Sequence, residues 1–61
     1  MKAVIKLTND KHEEILVGVA SIIDVQHFAT NGMTRIQSRG AMVSTNWVLQ
    51  SIEEIYEQIN S

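Results

Sequence analysis

At Ser51 the hydrophobic period of this chain changes. Upstream, apolar and polar residues alternate in short runs broken by turn formers; downstream, Ile52, Ile55, Tyr56 and Ile59 fall at i, i+3, i+4 and i+7. A period of two sends successive side chains to opposite faces of a strand, whereas the second spacing lines one face of a helix. The chain is thereby held to strands first and a helix last. Ser51-Ile52-Glu53-Glu54 fits a capping box, in which the Ser51 hydroxyl accepts from the amide of Glu54 and the Glu54 carboxylate accepts from the amide of Ser51. Glu53 and Glu54 complement the positive end of the helix dipole, and with Glu57 they face water. Two helix starts fit the pattern, Ser51 itself or a point near Asn46, because Val48 continues the apolar stripe upstream of Ile52.

Ala3, Ile5 and Leu7 alternate with Val4, Lys6 and Thr8, which predicts a first strand over Ala3–Thr8. The polar run Asn9 to His12 is a turn, and Glu13–Val17 a second strand paired with the first as a hairpin. Gly18 interrupts the pattern, and the β-branched run Ile22–Phe28 follows as a kinked third strand. Thr30-Asn31-Gly32 carries the Asn-Gly signal of a type I′ turn, with strands on both sides and Met33–Ser38 as the next. Arg39-Gly40 marks another turn. Ala41–Leu49 then reads as a strand with Val43, Thr45, Trp47 and Leu49 on one face and Met42, Ser44, Asn46 and Val48 on the other. The expected fold class is α+β, a small antiparallel β-meander of four to five strands with one C-terminal amphipathic helix, in a single domain over residues 1–61.

With 61 residues and no Cys, there is no disulfide, and two isolated His cannot close a zinc site. Stability must come from packing in a chain that buries only about 60 % of the surface its unfolded form exposes. One helix covers one sheet face, leaving strand edges and a second face carrying Val4, Ile23 and Val48. Such surplus apolar surface predicts self-association, with Trp47, Val48, Val4 and Ile23 at the interface and Trp47 in the core or between subunits. No Pro guards the edges.

Five Lys or Arg against seven Asp or Glu weigh against a non-specific nucleic-acid binder, which needs cationic excess or a strong basic patch. Arg35 and Arg39 flank a turn and are the residues that would contact an anion or RNA if an oligomer gathered copies; otherwise they are solubilising edge charges. His12 lies among Asp10, Glu13 and Glu14, but Leu16 occupies the place a second helical His would need, so the segment reads as a solvated turn. His27 reads as a partly buried, hydrogen-bonded residue. There is no Gly-x-Ser-x-Gly elbow, phosphate loop or dinucleotide fingerprint. Neither catalytic nor metal-binding residues are expected, nor a cofactor. No basic leader precedes an apolar run, and no charge-free stretch is long and apolar enough to cross a bilayer, so membrane insertion is not expected and a cytoplasmic location is.

Several of these residues resemble known families. Ile5-Lys6-Leu7-Thr8, the Ile22 and Val25 pair, Thr34-x-Ile36, Gly40 and the ending Val48-Leu49-Gln50-Ser51-Ile52-Glu53-Glu54-Ile55 resemble the small flagellar FlbD/SwrD family. The chain departs in Gln50 for the Glu of that family's Glu-Ser pair, in His12 where a turn Gly is expected, and in about three extra residues between Gly40 and the helix. The resemblance implies an accessory protein acting by contact, without catalytic residues. Leu7-Thr8, Glu13, Val17-Gly18 and Glu53-Glu54-Ile55-Tyr56 are similar to the CsrA carbon storage regulators, intertwined dimers that bind RNA. Where those regulators place RNA-binding Arg, this chain has Asn9 and Ile52. The expected function is a non-enzymatic interaction or accessory protein that self-associates and binds another protein. The alternatives are a dimeric RNA-binding regulator of the CsrA type and a phage or mobile-element inhibitor of a host protein.

Overall fold

The structure, a computed structural model, describes residues 1–61. Strands β1 (Val4–Thr8) and β2 (Glu14–Gly18) form an antiparallel hairpin, and β3 (Ile22–Phe28), β4 (Met33–Arg39) and β5 (Val43–Val48) form an antiparallel sheet in that order. Helix α1 spans Ile52–Asn60. The α+β meander is therefore realised with five strands, divided between two sheets. A single 3-10 turn at Val19–Ser21 carries the chain from one sheet to the other. The sheets meet where β5 ends: Asn9 bridges Val48, Asp10 N–H donates to Trp47 O at 2.9 Å, and Leu49 N–H donates to Thr8 O at 2.9 Å.

Two turns depend on positive φ. His12, at φ 62°, closes the first hairpin, while the Asn9 carboxamide oxygen accepts from the amides of Lys11 and Glu13. In the Asn-Gly segment only Gly32 has positive φ, at 70°, so the expected two-residue type I′ turn is not formed. A four-residue loop takes its place, with Phe28 opposite Met33, Gly32 N–H donating to Phe28 O, and the Asn31 side chain accepting from Met33 N–H. Asn31 spends its side chain on a local turn instead of adopting the left-handed conformation. The expected kink in β3 is a register shift between Ile22 and Asp24 that leaves Ile23 unpaired.

Ile5, Leu7, Val17, Ile36, Val48 and Ile55 are buried, with Ile15, Val19, Ile22, Val25 and Ile59 packed around them. The pairing register explains the set. Ile5 faces Val17 and Leu7 faces Ile15 on the inner side of the hairpin, while Val25 faces Ile36 in the three-stranded sheet. Each large aliphatic side chain buried in this way contributes roughly 1.5–3 kcal/mol. Val48, expected on an uncovered second face, is 0 % exposed, because its strand turns it inward beside Thr34. It cannot line an interface.

The capping box sets the helix start. Ser51 Oγ accepts from Glu54 N–H at 3.1 Å and Glu54 Oε1 from Ser51 N–H at 3.0 Å, so of the two possible starts the helix takes Ser51 and Asn46 stays in β5. Ile55 is the stripe's buried residue, whereas Ile52 (43 % exposed) and Tyr56 (68 %) stay largely uncovered.

The outer edge of β1 is sealed without proline. Gln58 Nε2 donates to Lys6 O at 3.0 Å and its Oε1 accepts from Lys6 N–H at 3.4 Å. Gln50 Oε1 accepts from Thr8 N–H at 2.9 Å while its Nε2 donates to Thr8 Oγ1 at 3.3 Å. Two carboxamides thus take the place of a neighbouring strand.

Two stability outcomes follow. Thr34 is 1 % exposed and its hydroxyl has no hydrogen-bond partner, so Thr34→Val, which keeps the shape and removes an unsatisfied group, should raise stability by about 1 kcal/mol in urea unfolding. Gln50→Ala should cost about 1–2 kcal/mol, whereas Gln50→Glu, which can accept from both the amide and the hydroxyl of Thr8, should stay within about 0.5 kcal/mol of the parent in the same assay.

Candidate functional site

Alternation along β3, β4 and β5 sends Asp24, Gln26, Phe28, Met33, Arg35, Gln37, Arg39, Val43, Thr45 and Trp47 to the face turned away from the core. No element covers that face. Gln26, Arg35 and Trp47 stand in one cross-strand row, with Phe28 and Met33 in the next.

The row is ordered by direct contact. The rings of Phe28 and Trp47 meet edge to face, with centroids 5.2 Å apart and planes at 65°. The Arg35 guanidinium lies over the Phe28 ring at 5.0 Å, and its Nη2 donates to Gln26 Oε1 at 2.9 Å. Its Nε is screened from solvent and has no hydrogen-bond partner. Trp47, expected in the core or at a subunit interface, is half-buried on the outer face and is held by Phe28. Gln26 and Phe28 are the members that residue types alone did not single out. Their signal is the register, which becomes readable only when the loop between β3 and β4 is known to hold four residues.

The remaining expected site residues do not converge. Arg39 is exposed at the end of β4, beside a polar cleft it lines with Ser21, Ser38, Ser44 and Asn46. It lies four positions along β4 from Arg35, about 13 Å at 3.3 Å per residue, and no contact joins the two. Val4 is half-exposed on the outer side of the hairpin, and Ile23 is half-exposed at the bulge of β3. Neither shares the row of Trp47. His27, expected to be partly buried and hydrogen-bonded, is exposed and makes no side-chain hydrogen bond. His12 sits in the first turn, where Glu13 accepts from the Asn9 carboxamide at 3.2 Å. No three His, Asp or Glu side chains converge on a point.

A second uncovered feature lies on the opposite side of the sheet. Val25 of β3 and Ile52, Ile55, Tyr56 and Ile59 of α1 line a shallow groove whose walls are wholly apolar. No helix is long and apolar enough to cross a membrane.

The Phe28 and Arg35 contact is measurable. A double-mutant cycle over Phe28→Ala and Arg35→Ala, read by urea unfolding, should return a coupling of about 0.5–1 kcal/mol; a coupling near zero would show that the stacked geometry carries no energy. The chain matches no protein-family model, no curated protein and no solved structure.

Proposed function

We propose that this chain is a non-enzymatic interaction module that self-associates and binds another protein, working in the cytoplasm. The observation that carries the proposal is the uncovered outer face of β3, β4 and β5, where Phe28, Trp47 and Arg35 are held in one ordered cluster. Trp and Arg are the residue types in which interface energy concentrates, and a cluster fixed in advance loses little rotamer freedom on docking. Val43, exposed at the start of β5, stands on the same face beyond Thr45.

The chain by itself has the dimensions of a self-contained domain. Its radius of gyration, 10.8 Å, is close to the roughly 10.5 Å expected of a self-contained domain of this length. Its accessible surface, 4251 Å², is close to the roughly 4,000 Å² expected of a monomer of this mass. Arg35, one of the two arginines an RNA reading would use, already spends its guanidinium on Phe28 and Gln26.

The resemblance to the flagellar FlbD/SwrD family points the same way, and two of the departures from it have a physical reading. His12 stands at positive φ, where a glycine is free of strain. Gln50 meets Thr8, a contact a glutamate could also make.

Native mass spectrometry of the untagged protein tests the proposal. A discrete oligomer that Trp47→Ala converts to monomer, with the circular dichroism of the fold kept, is the expected result. A monomer at all accessible concentrations, or an oligomer indifferent to Trp47→Ala, would overturn the assignment of this face. Co-purified RNA, released steeply by salt and absent from an Arg35→Ala/Arg39→Ala variant, would establish the regulator instead.

A further inference from the structure

The two uncovered features of the fold lie on opposite sides of the three-stranded sheet and differ in charge. The outer face carries Arg35 and Arg39, and of the chain's seven acidic residues only Asp24, at the β3 margin, stands there. Gln26 and the Phe28 ring, which hold Arg35, are neutral and leave its charge uncompensated. The exposed side of α1 has the opposite balance. Steps of about 100° per residue carry the helix surface from Ile52 and Tyr56 to Glu53 and then Glu57, and all four residues are exposed. The basic groups around this side are His27, on the groove face of β3, and Lys2, whose backbone N–H donates to Ile59 O at the far end of the helix. The helix itself carries none.

We infer that the chain associates with itself head to tail, the Ile52, Glu53, Tyr56 and Glu57 surface of one copy's helix docking on the Phe28, Arg35 and Trp47 face of the next. The inference rests on the self-association half of the function proposed above. Charge selects the occupant. A two-fold pairing of outer faces centred on the cluster sets Arg35 against its own copy, and a two-fold pairing of helices sets Glu53 and Glu57 against theirs; like charges so opposed are unfavourable. Head to tail, the acidic helix meets the cationic face. Tyr56 and Ile52, 68 % and 43 % exposed, then cover aromatic rings that no element of their own chain covers. Because the two surfaces lie on opposite sides of the sheet, a chain cannot bring its helix to its own outer face, and each copy in a pair keeps one surface free for a third. Such a contact is heterologous, and the rotation between copies decides whether it closes into a ring or runs on as a filament. A ring is the discrete oligomer.

Complementation between two variants, followed by sedimentation, is the test. Trp47→Ala damages the face and keeps the helix surface; Tyr56→Ala/Glu57→Lys damages the helix surface and keeps the face, and neither substitution touches the capped first turn. Each variant, with the circular dichroism of the parent, should sediment as a monomer. Mixed in equal amounts, they should form a dimer and nothing larger, because one intact face and one intact helix surface remain in each pair. Association of the parent should also weaken several-fold between about 50 and 500 mM salt, where the Debye length shortens and unlike charges lose their attraction. A mixture that stays monomeric, a helix variant that keeps the oligomer of the parent, or association indifferent to salt would overturn the inference. The outcomes also separate it from the reading on which it rests. An oligomer dissociated by Trp47→Ala and untouched by the helix variant would keep the outer face as the self-association site and remove the helix as its partner, whereas a parent that is monomeric at all accessible concentrations would overturn both.

Discussion

The short ladder between Thr8–Asp10 and Trp47–Leu49 is the contact on which the rest of this fold depends. A two-stranded hairpin is marginal by itself in water, and a three-stranded sheet needs a buried hydrophobic face or a helix packed against it. Joined there, they enclose Ile5, Leu7 and Val17 against Ile36 and Val48. The ladder also fixes where the chain goes next. Gln50, one residue beyond Leu49, hydrogen-bonds Thr8, and Ser51 follows at once as the helix cap. The helix is thus launched from the sheet junction and laid along β1, with Gln58 reaching Lys6 two turns later.

That placement uses the helix for two tasks. Ile55 completes the core, and the carboxamides of Gln50 and Gln58 satisfy an edge that would otherwise recruit another chain. A domain of this size has few residues to spare for edge protection, so side chains already present near the helix do the work. The consequence is asymmetric. The edge of β1 is closed, the edge of β3 is open, and the outer face of the larger sheet presents an aromatic and guanidinium cluster.

The site was only partly legible in the sequence. Trp47 stood out as the sole tryptophan and as one side of an alternating run, which places it opposite Val48. Which of the two sides faces the core is not a property of the run, because a six-residue strand with Val, Ser, Thr, Asn, Trp and Val has no clear apolar face. The ladder with β1 decides it by turning Val48 inward, and Trp47 goes out. Arg35 was legible as a surface arginine; its union with Phe28 was not, since the Asn-Gly pair points to a two-residue loop and the real loop is two residues longer.

By itself the sequence determined the local structure: the alternation that makes β1 and β4 strands, the positive-φ glycine at position 32, and the Ser51 and Glu54 box that starts the helix. These are interactions among neighbours, and their free energies are set by residues a few positions apart. Only the tertiary structure decided which face of β5 is buried, which sheet edge is sealed and which residues gather around Trp47. Those outcomes rest on contacts between segments some forty residues apart, such as Thr8 with Gln50, whose register no local pattern encodes.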